Sequence, residues 1–279
     1  MKALHSNFFI FAVIFAAVLF CMRKLRASAH RTDGNVAANG LKISGGCFFV
    51  WFVSFALVCI CFSQFAGAVF RHYCTPHGIS EERVDAIANF LMHLLLLSLA
   101  LAMARSLNIF REERRKSWRP ISTVLKSGTY NFLLLLPLIM VSSLLWELFI
   151  IFITAVGIAV DCSTQAAVSS LLSMNSAVDV VIFSLTAAAI APISEEIIFR
   201  AFLYRFLKGR ANGTAACICA AIIFAYMHCN ALSFFPLFTM GAYLTRVYER
   251  NGDIRELILL HSFVNLTSII QLRSLAMLP

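Results

Sequence analysis

Apolar runs that approach or exceed the ~20 residues a helix needs to cross ~30 Å of hydrocarbon follow one another along this chain, separated by short polar connections. Of the 279 residues, 60% are hydrophobic and only 13% charged, with a mean hydropathy of +0.83. Spans consume the length, so no soluble domain fits. The expectation is an all-α, polytopic transmembrane helix bundle of roughly eight spans, an integral multi-pass protein of a bacterial-type cytoplasmic membrane.

The runs are Phe8 to Met22, Cys47 to Phe70, Val84 to Met103, Tyr130 to about Gly157, Ala177 to about Leu207, Ala215 to His228, Leu232 to Tyr248, and Leu257 to about Ile270. The first is short enough to suggest a signal peptide, but its positive charge (Arg23, Lys24, Arg26, Arg31) follows the apolar core rather than preceding it, which favours a span. The most basic connection holds Arg105, Arg111, Arg114, Arg115, Lys116, Arg119 and Lys126, and the positive-inside rule makes it cytoplasmic. Within it, Ser106 to Trp118 reads as an interfacial helix on anionic lipid, ended by Pro120. The net charge of +9 thus belongs to topology and membrane lipids, not to nucleic acid. Cys74 and Cys162 fall in connections on the opposite face, where a disulfide is an open question. The chain divides into an N-terminal transmembrane region, 1–128, and a transmembrane core that carries the chemistry, 129–279.

That core contains charges where lipid should be. Pro192-Ile193-Ser194-Glu195-Glu196-Ile197-Ile198-Phe199-Arg200 places two carboxylates and a guanidinium inside an apolar run. Ionisable groups at such depth need a partner or a cavity, and they mark function by default. Glu196 and Arg200, four apart, pair on one helix face. Glu195 lies about a hundred degrees round the helix with no such partner. It is the carboxylate left over for a general base or a metal ligand.

Two further segments supply polar groups: His228 in Phe224-Ala225-Tyr226-Met227-His228, and His261 with Asn265 in His261-Ser262-Phe263-Val264-Asn265. At ~1.5 Å per residue from their basic ends, Glu195, His228 and His261 reach depths of roughly 12 to 21 Å and can face one cavity. Such a set suits hydrolysis: Glu195 takes a proton from water, His228 helps orient it, and His261 with Asn265 stabilises the oxyanion. A divalent metal such as zinc, held by Glu195, His228 and His261, is the other arrangement.

Glu-Glu-x-x-x-Arg, Phe-x-x-x-His and His-x-x-x-Asn, in this order, resemble the CAAX-protease and bacteriocin-processing (CPBP) family of intramembrane endopeptidases, the type II CAAX prenyl endopeptidase-like or Abi family. The resemblance covers about Val178 to Leu272. It implies a peptide or membrane-protein substrate, catalytic roles for Glu195, His228, His261 and Asn265, and supporting roles for Glu196, Arg200 and Phe224. The metal question stays open, since the family has been described both with and without one.

Each motif has a plainer reading alone: a Glu-x-x-x-Arg pair is usually a structural salt bridge, and a single intramembrane histidine usually a packing contact. The conjunction on three segments favours a shared cavity. Asn89, His93, Glu147 and Asp179 complete no constellation and read as packing or end-of-span residues. A transporter or a catalytically silent scaffold or immunity protein is the alternative class. Neither His-Glu-x-x-His, Gly-x-Ser-x-Gly nor Gly-x-Gly-Asp occurs in the apolar runs, which disfavours the zinc site-2, rhomboid-like and presenilin-like chemistries.

Overall fold

The computed structural model describes residues 40–61, 72–73 and 77–276. The run Phe8 to Met22, the basic segment after it and Cys74 lie outside these. Among the described residues the fold is all helical, with no strand. Its elements are α1 (Gly45–Cys61), α2 (Glu81–Ser106), α3 (Ile109–Lys116), α4 (Ile121–Ala155), α5 (Ala166–Ser173), α6 (Ala177–Lys208), α7 (Gly213–Tyr226), α8 (Phe234–Asn251) and α9 (Ile254–Ala276).

Their ends follow from local chemistry. Ser80 Oγ accepts from the Arg83 amide and starts α2, with Glu81 and Glu82 in its positive first turn. Asn212 caps α7 by accepting from the Ala215 amide at 2.8 Å. Gly252, at φ +69°, lets α8 stop in a left-handed turn that a side chain would disfavour. The helix expected over Ser106 to Trp118 is present as α3, but it stops at Lys116. Pro120 precedes α4 instead of ending α3, because a residue without an N–H costs nothing where the first helical amides are unbonded anyway.

Four helices are long and apolar enough to cross a membrane: α2, α4, α6 and α9. The count of eight is therefore not reproduced among the described residues. α7 is apolar but has only 14 residues, about 21 Å of rise. α8 has 18 residues and carries Arg246, Glu249 and Arg250 in its last turns. The two form a hairpin shorter than the bilayer, and its turn sits where the sequence predicts the end of a span. α4, by contrast, runs for 35 residues through the boundary expected at 128, and bares Leu133, Leu138, Met140, Leu144, Leu148 and Ile151 along its outer face. A surface of that kind suits hydrocarbon. This is a membrane protein by its apolar helices.

The core is built where α6 threads the bundle. Ala201, Phe202, Leu203 and Tyr204 are wholly buried, and Phe202 and Phe206 stack on Phe48 of α1. α6 also packs on α2, α7 and α9, while α4 lies against α8 and α9.

The basic end of the bundle is not left to lipid alone. Asp253 and Glu256, fully buried in the turn before and the first turn of α9, take up charges and donors from the connection between α3 and α4. Glu256 accepts from Arg119, Ser127, Asn131 and Asn251, while Asp253 pairs with Arg255 at 2.7 Å, whose guanidinium lies over Trp118. Arg205 at the end of α6 reaches Glu112 of α3 at 2.6 Å. Arg119, which reads as part of a lipid-directed cluster, is thus held by internal ion pairs, invisible in sequence because its acids lie more than a hundred residues away.

Glu113 of α3 is buried against Tyr248, whose hydroxyl donates to it. Burial pushes its carboxyl up to about 7, against the opposing pull of the Tyr248 hydrogen bond and of Arg205. The folded state therefore binds the proton more tightly than the unfolded chain, so this stabilisation is complete below the usual carboxylate range and is lost as pH rises to about 7. Thermal unfolding in detergent is expected to show a midpoint that falls between pH 5 and pH 8 in the parent protein. Glu113→Gln should flatten that fall by about 1.4 kcal/mol for each pH unit between the two titrations.

Candidate functional site

Every candidate residue is positioned by α6 or by a helix packed on it. α6 is not uniform: Ala177–Leu185 is α-helical, Thr186–Ile190 is a π-turn, Ala191–Glu196 returns to α, Ile197–Tyr204 is again π, and Arg205–Lys208 closes as α. The two glutamates lie between the wide turns, the type of irregularity that clusters at functional sites. In the first, the Ala191 amide bonds five residues back to the Thr186 carbonyl. The next bond in that register would run from residue 192 to Ala187, but Pro192 has no N–H. Asn265 of α9 supplies the missing donor, its Nδ2 bonding the Ala187 carbonyl at 2.8 Å.

The two carboxylates have different surroundings, as the helix angle predicts. Glu196 is fully buried, and its Oε1 accepts from Arg200 Nη1 and from His261 Nδ1, each at 2.7 Å. Arg200 is held in turn by the Gly241 carbonyl at 3.3 Å and by the ring of Phe224, 4.5 Å below its guanidinium. Gly241 makes this reach available: a Cβ there would stand 3.2 Å from both the Ala221 backbone and the Phe224 ring. Glu195 has no ion-pair partner of this kind. Its Oε2 is sealed from solvent, makes no hydrogen bond, and faces His261 Nε2 at 3.8 Å.

Because Glu196 is an acceptor shared with Arg200, His261 presents Nδ1–H to it and turns Nε2 towards Glu195. His228 is oriented in the same sense. Its Nδ1 lies 2.8 Å from the Phe224 carbonyl, which can only accept, so the ring donates from Nδ1 and keeps Nε2 available. The sequence places His228 on a spanning helix, whereas the structure places it one residue beyond the C-cap of α7, on the turn into α8. Phe224 is the common neighbour: its ring meets His228 at 4.9 Å, His261 at 6.0 Å and Phe199 at 5.1 Å, all edge-on. It is therefore the spacer that sets the two imidazoles apart.

The turn after His228 is fastened at two points: Trp146 Nε1 donates to the Ala231 carbonyl at 2.7 Å, and Asn230 Nδ2 to the Ser163 carbonyl at 2.9 Å. Beside it is a cavity of about 330 Å³ lined by Trp146, Ala225, Tyr226, Cys229, Asn230, Ala231 and Phe234.

Glu195, His228 and His261 do not make a metal centre as they stand, since among the described residues no group of three or more His, Cys, Asp or Glu is arranged to hold an ion. The remaining polar residues separate cleanly. Asp179 is buried in an ion pair with Arg83 of α2 at 2.9 Å, a structural link between helices, and Glu147 is exposed. Cys162 is exposed and carries no disulfide among the described residues. His93 is different. It stands on α2 within electrostatic range of Glu195 and His228, as does Cys59 of α1 with Glu195. Depth alone could have flagged it: His93 lies ~20 Å from the basic end of α2, level with Glu195.

Glu195, Glu196 and His261 meet between α6 and α9, two helices long and apolar enough to cross a membrane, with His228 on the other side of the Phe224 ring. Residues 177–267 match the family model described as type II CAAX prenyl endopeptidase Rce1-like, so the resemblance carried by the motifs holds over this third of the chain. Two UPF0177 proteins of Lactococcus lactis subsp. lactis are also similar: YbdJ, 38% identical over 84 residues (30% of this chain, 36% of that protein), and YaiH, 39% identical over 79 residues (28% and 32%). The matched part spans about a third of the length of these curated relatives. No solved structure matches.

The Pro192–Asn265 relationship is directly testable. Asn265→Leu should orphan the Ala187 carbonyl and destabilise the protein by about 1–3 kcal/mol. Pro192→Ala placed in that variant restores a backbone donor and should recover part of the loss, measured by thermal unfolding in detergent.

Proposed function

We propose that this protein is an intramembrane endopeptidase of the CAAX-processing type, in which Glu195 activates water against a peptide carbonyl. The observation that carries this reading is the difference in ion pairing: among the described residues both glutamates keep a buried Oε2 without a hydrogen bond, but Glu196 is neutralised through Oε1 by Arg200 and His261, while Glu195 has no guanidinium partner and its Oε2 stands 3.8 Å from His261 Nε2. A buried acceptor so placed is costly unless something polar occupies the space before it. Water is the simplest such occupant.

In this mechanism Glu195 accepts a proton as the water oxygen bonds to the carbonyl carbon. The tetrahedral oxyanion is met by donors. Asn265 has one Nδ2 hydrogen committed to Ala187 and a second to give. His261 contributes through Nε2–H when the ring carries both protons. The carbon–nitrogen bond then breaks, and Glu195 returns its proton to the departing amine, leaving a carboxylic acid and an amine. His228 orients the water or the carbonyl from the opposite side. Glu196, Arg200 and Phe224 hold the imidazoles in place. No step here is routed through a metal, and among the described residues no three His, Cys, Asp or Glu side chains are grouped to hold one.

The substrate in this reading is a peptide segment reached from within the bilayer. Protein termini compared between cells carrying the parent protein and Glu195→Gln, at matched expression, test it. New termini that depend on Glu195 are expected, with the variant slowed by at least about 100-fold, the scale of losing a general base. Identical termini in both would refute the proposal.

A further inference from the structure

The 177–267 segment does not contain every polar group of the pocket. His93, on α2, has its Nδ1 sealed from solvent with no hydrogen-bond partner, and Glu195 Oε2 is in the same condition. α2 packs directly on the Ala191–Glu196 turn and on both π-turns of α6, and the His93 ring is within electrostatic range first of Glu195 and then of His228. Two buried polar atoms, on helices that pack directly on one another, are thus both unsatisfied in one electrostatic neighbourhood. Each would cost about 1–3 kcal/mol if left empty-handed, and apolar sequence surrounds both.

We infer that His93 is a positioning residue for the attacking water, supplied by the N-terminal part of the chain. This inference rests on the endopeptidase reading. Its geometry is simple. A water has two protons; Glu195 Oε2 accepts one and His93 Nδ1 the other, with the imidazole proton on Nε2. Both oxygen lone pairs are then left pointing away from the acceptors, where a carbonyl carbon can be approached. His93 neither gains nor loses a proton in the step: the proton that moves goes to Glu195, and the second O–H remains hydrogen-bonded to His93. Ordering of the water's orientation is the contribution, and it falls on kcat rather than on substrate binding.

The other groups near Glu195 have different assignments in this reading. His261 and His228 have Nδ1 committed, to Glu196 and to the Phe224 carbonyl, and their remaining Nε2 atoms serve the oxyanion and the carbonyl side. Arg200 is held in the Glu196 ion pair. Cys59 shares the electrostatic neighbourhood of Glu195 but is a poor acceptor for a water proton.

The test compares His93→Leu, His93→Asn and His93→Gln in the full chain. The oxygen of Asn can occupy the place of Nδ1, whereas the longer Gln side chain reaches the place of Nε2. The Glu195-dependent termini found as above give the rate, per amount of protein, at which each variant cleaves. Loss of about 10- to 100-fold is expected for Leu and Gln, with recovery to within about tenfold for Asn and an unfolding midpoint unchanged across the three. Leu at the parent rate, or Asn no better than Gln, would overturn the inference while leaving the endopeptidase reading intact. The reading itself fails separately, through Glu195→Gln. A high-resolution structure of the parent protein in lipid gives a second readout that needs no substrate: a water bridging Glu195 Oε2 and His93 Nδ1 supports the inference, and a His93 ring bonded elsewhere refutes it.

Discussion

Taking charge out of water is tolerated only when every charge is matched, and here one carboxylate oxygen organises the matching. Glu196 Oε1 receives both Arg200 from its own helix and His261 from α9. The ion pair alone would leave α6 and α9 free to choose their rotation about one another. The added imidazole fixes it, because a histidine that donates to Glu196 must turn its other nitrogen towards Glu195. Position of the second carboxylate's neighbour is thus a by-product of neutralising the first. Removing one member of such a buried set typically costs 3–5 kcal/mol, while the complete set adds little to stability over a well-packed apolar core. Its value is geometric.

The π-turns extend the same logic to the backbone. A regular α-helix through residues 186–204 would satisfy its own carbonyls and give α9 nothing to hold. Pro192 breaks that self-sufficiency at one carbonyl, and Asn265 answers it from α9. Two contacts, Glu196 with His261 and Ala187 with Asn265, therefore pin the helices four residues apart along α9, which is one turn. The His-x-x-x-Asn spacing acquires a structural meaning beside its chemical one.

Much of this was readable in the sequence. The angle between adjacent helical residues separates the surroundings of Glu195 and Glu196, and the four-residue spacing gives the Arg200 pair. Three other features were not readable. The buried acids Glu256 and Asp253 follow a charged turn that looks like any solvated loop, and their partners on the Arg119 connection lie far off in sequence. His93 was passed over because it belongs to no motif, although its depth matched. The reversal between α7 and α8 is legible, since the apolar runs 215–228 and 232–248 are separated where the structure turns, but the shortness of α7 is not. Apolarity reports burial in lipid or protein alike. It does not say whether a helix crosses.

That reversal divides the pocket mechanically. Glu195, His261 and Asn265 ride on long helices that move as rods against many packed side chains. His228 rides on a turn tied to the rest of the molecule by the Trp146–Ala231 and Asn230–Ser163 hydrogen bonds. Bonds of this kind contribute about 1 kcal/mol each. Displacing the turn is therefore an event on the scale of thermal energy multiplied by a few, whereas displacing a helix is not. The residue mounted on this lightly tied turn is itself one of the two imidazoles.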